Sequence, residues 1–240
     1  MKKPQLKITD EQIKAQQKAI DEAYERAEPL HEDLQNSIIT TESGMKMIHH
    51  RLYVAHYMNH PTLIETANAV YKKKQELEKK AIAEKDMKTL FYVIERAYKV
   101  PYIYEALMSW WKPNAKEYWE TLHHTYCTSE SVYNDLEYWD VLFNEYHQDK
   151  KHLMMTRKER KYFKSLPEKF TIYRGGVCDK GISWTLNKDK AKWFANRFNN
   201  GYAVFEKKVK KSDCFAYMRD CGEDEIIYIK ETDWGIKEYR

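Results

Sequence analysis

The sequence predicts an α+β chain, helical first and sheet-rich last, and the placement of two residue types carries that expectation. All six prolines (Pro4, Pro29, Pro61, Pro101, Pro113, Pro167) precede residue 170, whereas six of the seven glycines (Gly175, Gly176, Gly181, Gly201, Gly222, Gly235) follow it. Proline between long glycine-poor segments marks helices with firm stops; glycine between short β-branched and aromatic runs marks strands and turns. At 240 residues the chain can bury one large core or two small ones. The expected arrangement is a helical N-terminal region over 1–100, followed by a compact mixed-sheet domain over 101–240. Within that domain, aromatic helices fill 101–165 and the sheet fills 170–240.

Composition excludes some classes. No apolar run approaches the roughly 18 residues of a membrane span, and the N-terminus leads into a polar amphipathic segment rather than an apolar signal core. A cytoplasmic protein with no membrane partner is expected. The four cysteines (Cys127, Cys178, Cys214, Cys221) form no CxxC pair, so reduced thiols are expected. A net charge of +4 permits a nucleic-acid partner without arguing for one.

The first helix is expected to start at Thr9 or Asp10, where Thr9 and Gln12 have capping-box spacing. Ile13, Ile20, Tyr24 and Ala27 fall on one face, and Pro29 lies beyond the end. A second helix is expected over 42–59, stopped by Asn59-His60-Pro61. Thr62 would then cap a long helix to Lys99, broken near 84–87. Its lysine-dense run, residues 71–80, reads as a solvated helix face. From Pro101 to Lys164 aromatic residues such as Trp110, Trp119, Tyr126 and Trp139 recur at roughly helical spacing, which predicts helix packing. Strands follow at about 170–174, 182–186, 202–210, 213–217 and 225–230. One helix interrupts them, capped by Asn187, with Ala191, Phe194, Ala195 and Phe198 facing inward.

Three short motifs in this last part carry chemistry. Arg174 ends a strand and is followed by Gly175 and Gly176. A guanidinium grips a diphosphate with fork geometry, and the glycines would allow a sharp turn and a close approach of ligand. Ser183-Trp184-Thr185 alternates, so both hydroxyls share one face and Trp184 takes the other. Glu223-Asp224-Glu225 enters the apolar run Ile226-Ile227-Tyr228, and its i,i+2 spacing puts Glu223 and Glu225 on one side of an extended chain. Two acids with one task each is a pattern that catalysis uses.

This ordered set resembles the arginine–serine–glutamate class of ADP-ribosyltransferases, which includes clostridial binary-toxin and C3-like enzymes and phage-encoded transferases. The match covers residues 170–230. Residues 139–167 look like what precedes the site in phage and prophage members. The resemblance implies NAD as substrate and no metal. Arg174, with Tyr173 and Gly175, would hold the NAD phosphates. Ser183, aided by Thr185, would fix the catalytic Glu225 and support the nicotinamide ribose. Trp184, packed on the opposite face of its strand, is counted with the NAD-binding residues, and Phe194 or Trp193 would wall the nicotinamide pocket. Glu223 would engage the acceptor, with residues 213–222 as a target-recognition turn. Glutamate at 223 implies an arginine side chain of a protein as acceptor. The resemblance also implies a toxin or phage-conflict role in a host cytoplasm, with an antitoxin or inhibitor as a further partner.

Three other readings compete. The acceptor is RNA or DNA, with the lysine- and aromatic-rich helices as its platform. The protein is a binding module that keeps the fold without turnover, against which the intact arginine, serine and glutamate argue. Or His49, His50, His56 and His60 hold a metal, although His60 sits beside Pro61 where a helix should be ending.

Overall fold

The caps written in the sequence set most element boundaries. The structure, a computed structural model, describes residues 9–129, 132–197, 201–219 and 224–229. The chain divides into two compact units, Met1–Glu95 and Arg96–Arg240. The fold class is α+β, with a largely helical first part and an antiparallel sheet at the end.

In the first unit, α1 (Asp10–Arg26) begins at the Thr9–Gln12 capping box, with both reciprocal hydrogen bonds formed. Its apolar residues Ile13, Ile20 and Tyr24 are exposed. A short α2 (Glu32–Asn36) leads into a three-stranded meander: β1 (Ile38–Thr40), β2 (Lys46–His50) and β3 (Tyr53–His56). The helix expected over 42–59 is therefore replaced by two strands. Gly44, at φ +80°, makes the turn that a helix would not need. Thr41 closes that turn by accepting from Gly44 N at 2.8 Å and donating to Met45 O at 2.8 Å. Ile48, Tyr53 and Val54 then favour a half-buried pleated surface over a helix. His56 ends β3 and His60 caps the next helix, so their i,i+4 spacing does not place them on one helix face.

Helix α3 (Pro61–Glu84) starts two residues earlier than expected: His60 is the cap, not Thr62, and Pro61 occupies the first turn, where its missing N–H costs nothing. Lys85 ends it in the left-handed conformation, and Asp86 caps α4 (Met87–Val93). The lysine-dense run is solvated on one side only. From its other side Tyr71 donates to Asp33 Oδ2 at 2.6 Å, and the buried Glu78 pairs with Arg51 at 3.0 Å.

In the second unit, α5 (Lys99–Ser109), α6 (Ala115–Thr128), α7 (Leu136–Asn144) and α8 (Arg157–Ser165) precede five strands. These are β4 (Lys169–Gly176), β5 (Ser183–Thr185), β6 (Ala203–Lys210), β7 (Cys214–Met218) and β8 (Glu225–Tyr228), with α9 (Lys188–Asn196) after β5. The spatial order is β6-β4-β5-β8-β7. Expected as mixed, the sheet is antiparallel at every pairing among the described residues. The aromatic helices are packing elements. Trp119 and Phe143 meet Phe215 at ring distances of 5.7 and 4.7 Å, and Trp139 stacks on Phe143 at 4.8 Å. The register slips between Cys214 and Ala216, and a bulge of this kind re-aims its extra residue, here Phe215.

Among the described residues, cysteine chemistry departs from expectation at Cys127, which is disulfide-bonded, whereas Cys178 and Cys214 are in no disulfide.

Asp135 gives this unit a pH dependence. Burial pushes its carboxyl up to about 6, above the unfolded value, so the neutral acid suits the fold and the carboxylate does not. Its contribution is fully present below pH ~4 and is lost as pH rises through ~6. Partial exposure screens the effect to about 1 kcal/mol. Asp135→Asn should raise Tm by a few degrees at pH 7 and leave it unchanged at pH 4; thermal melts across this range check it.

Candidate active site

The strand register brings the motifs together. Tyr173 on β4 pairs with Thr185 on β5, Thr185 pairs with Glu225 on β8, and Ser183 pairs with Ile227. Residues two apart on a strand share a face, so Tyr173, Gly175, Ser183, Thr185 and Glu225 lie on one side of the sheet. Trp184 takes the other side, where its ring meets Tyr228 edge-on at 6.4 Å. Its indole N–H donates to Gly181 O at 2.9 Å, which fixes the entry to β5.

An open cleft forms on the first side. The strand residues line it with Arg174 and Trp184, and Lys190 and Phe194 of α9 close it from above. It is shallow and open to solvent, with a cavity volume of about 40 Å³. Glu225 is only 9% exposed, and the Ser183 hydroxyl donates to its Oε1. A hydrogen bond to a carboxylate is charge-assisted and holds its rotamer. Arg174 donates from Nη1 to the Ser183 carbonyl at 2.7 Å, so cation and carboxylate are held through the same residue.

Two glycines make this geometry possible, for reasons other than the expected ones. No turn follows Arg174: β4 runs on through Gly175 and Gly176, paired with Val204 and Ala203. A Cβ at Gly175 would run into Ala191 O and Ala195 N of α9, so this glycine lets the helix sit against the strand and form the roof. Gly181 was not singled out by sequence reasoning. Its φ is +141°, and a Cβ there would lie 2.7 Å from Cζ and Nη2 of Arg174. The guanidinium therefore rests against glycine backbone.

Helix α9 is set by its cap. Asn187 accepts from Asp189 N and Lys190 N at 2.9 and 3.2 Å. Thr185 is drawn into the same turn, its hydroxyl accepting from Asn187 N at 3.1 Å. Thr185 lines the cleft and shapes the turn, and Ser183 is the hydroxyl that reaches the carboxylate. Of the two aromatic candidates on α9, Phe194 lines the cleft and Trp193 is 55% exposed. Lys190, a second cation in the cleft, was missed. The i,i+4 spacing of Lys190 and Phe194 was the signal that could have found it.

Glu223 and Phe198 lie outside the described residues. Within the turn expected over 213–222, residues 214–218 form the fully buried β7 instead, and 220–222 lie outside the described residues. The stems of the β7–β8 connection are tied down. Arg219 N donates to Glu159 Oε1 at 2.5 Å, and Tyr217 donates to Asp224 Oδ1 at 2.6 Å. Burial and Asp224 together raise the Tyr217 hydroxyl above its usual range. Glu159 is itself buried as the acid of the α8 capping box.

No family model, curated protein or solved structure matches the chain. Among the described residues, no helix is long and apolar enough to cross a membrane.

The two glycines should fail differently. Gly175→Ala pushes α9 off β4 and should cost about 1–3 kcal/mol, read as a lower Tm. Gly181→Ala should displace the Arg174 guanidinium with a smaller loss of Tm, and should weaken the binding of a diphosphate ligand by about tenfold or more in calorimetric titration.

Proposed function

We propose that this protein moves ADP-ribose from NAD to a macromolecular acceptor and releases nicotinamide. The observation that carries the reading is a buried glutamate, Glu225, held by the Ser183 hydroxyl at a cleft that also presents Arg174. The order arginine, serine, glutamate on successive strands of the cleft supports it further.

In this mechanism the dinucleotide lies with its phosphates at Arg174 and Lys190, where two cations meet a dianion. The nicotinamide ribose enters beside Glu225, and Phe194 offers a ring face to the nicotinamide. The bond between ribose C1′ and the nicotinamide nitrogen breaks, and nicotinamide leaves with the electron pair. Positive charge grows on the ribose, as in glycoside hydrolysis. A carboxylate fixed in advance stabilises that charge without reorganising. The acceptor nucleophile then bonds to C1′ and gives up its proton. The arginine side chain that the resemblance implies as acceptor rests on Glu223, which lies outside the described residues.

The test is incubation of labelled NAD with host lysate, followed by separate protease and nuclease treatment. Wild type should transfer label and cleave NAD. Glu225→Gln should reduce both by about 10²–10³-fold, by analogy with the loss of other preorganised electrostatic groups. Ser183→Ala should cost about 10–100-fold in kcat, as expected for one charge-assisted hydrogen bond. Arg174→Lys should raise KM for NAD more than it lowers kcat, because an ammonium cannot grip a diphosphate bidentately. No label and no NAD cleavage by wild type, or cleavage indifferent to Glu225, overturns the reading.

A further inference from the structure

Positive charge in this chain is concentrated in one stretch of sequence, 150–211, which includes the cleft-lining residues of β4, β5 and α9. Residues 150–211 hold 18 Lys and Arg against 5 Asp and Glu, a net +13, whereas the whole chain is +4. The rest of the sequence is therefore −9. Such asymmetry within one chain points to a polyanionic partner rather than to general solubility.

The strand register shows where part of that charge goes. Lys208 and Lys210 on β6 alternate with Glu206, and Glu206 pairs with Tyr173 while Lys210 pairs directly with Lys169. All three lysines are exposed and share the sheet face that carries Tyr173 and the cleft. None of the three is ion-paired among the described residues. Like charges directly opposite on adjacent strands destabilise a sheet, and the acid next to the Lys169–Lys210 pair, Glu168, is paired instead with Lys211 at 3.1 Å. Nearer the cleft, Lys188 is different: it is matched by Glu206 at 3.0 Å.

Helix α9 continues the surface across the cleft roof. Lys190, Trp193, Phe194 and Arg197 recur at i, i+3, i+4 and i+7, which makes one stripe. Two of its members, Lys190 and Phe194, line the cleft. The exposed Trp193 ring has the Arg197 guanidinium 5.3 Å from its centre. A cationic track with an exposed aromatic ring is what a flexible, single-stranded nucleic acid needs: lysines for phosphates and an indole for a base. An acidic peptide would use the lysines but not the ring.

We propose that the face formed by Lys169, Lys208, Lys210 and the α9 stripe binds single-stranded nucleic acid and presents it to the cleft as the acceptor. The acceptor role rests on the transferase reading above; the binding does not. In the transfer, a hydroxyl or amino group of the bound strand forms the new bond to ribose C1′ as nicotinamide departs, and its proton passes to water.

Fluorescence anisotropy with labelled RNA and DNA strands of about 12 nucleotides reads the binding. Wild type should bind with a log–log salt slope of about −2 or steeper, given about −0.7 per phosphate contact on single strands. The triple variant Lys169→Glu, Lys208→Glu, Lys210→Glu should bind at least about tenfold more weakly, with a shallower slope. Glu225→Gln should bind as wild type does. Cleavage of NAD in the absence of acceptor serves as the fold control, and the triple variant should retain it. Label from NAD should pass to the strand and be removed by nuclease.

Absence of binding, or binding unchanged in the triple variant, overturns the proposal. So does preference for anionic vesicles or polyglutamate through the same lysines, and so does label found only on protein. Binding without any NAD cleavage would leave this surface standing and remove the transferase reading. NAD cleavage without binding would do the reverse.

Discussion

The hydrogen bond from Ser183 to Glu225 joins two strands that are distant in sequence, and the cleft depends on it. It sits where β5 and β8 pair, so the adjoining ladder must be in register before the hydroxyl can reach the carboxylate. The same serine accepts from Arg174 through its carbonyl. One residue thus fixes the distance between the cation and the carboxylate. Moving either strand by one residue would turn every side chain to the opposite face and dissolve the arrangement.

Holding the strands is a matter of packing. Trp184, on the reverse of the serine strand, is almost fully buried and anchors its indole N–H on Gly181. On the cleft side, α9 lies against β4 because Gly175 has no side chain. The roof over Glu225 therefore depends on a missing Cβ, and the floor depends on a tryptophan whose ring packs against Tyr228 on the reverse of the sheet. The aromatic helices supply the remaining support through Phe215, to which Trp119 and Phe143 converge.

What could be read in the sequence follows from the range of the interactions involved. Local chemistry was legible: the Thr9–Gln12 box, the Asn187 cap, the break near Lys85 and the five strands after residue 168 are all written within a few residues of themselves. The alternation of Ser183, Trp184 and Thr185 was legible for the same reason. The meander at 38–56 was not, because helix-forming residues such as Met47 and Arg51 mask a register that only Gly44 and the packing of Ile48 decide. Gly181 and Lys190 were missed because their roles are set by partners across the fold, the Arg174 guanidinium and the open face of the sheet.

Separation of the two ends of the cleft follows from these ties. Glu225 is positioned from below by Ser183, while the connection that precedes it is fastened at its stems by other residues: Arg219 to Glu159, and Asp224 to Tyr217. Glu159 is anchored in turn by Thr156, at the start of a helix that contributes nothing to the cleft floor. The stems therefore hold their place whether or not Ser183 is present, and Ser183 holds Glu225 whatever residues fill the connection between the stems. The bond that holds Glu225 and the bonds that hold the stems are therefore independent of one another. The charge on α9 and β6 lies outside both supports. An exchange of its lysines alters what approaches the cleft while leaving untouched the hydrogen bonds that hold the cleft's carboxylate.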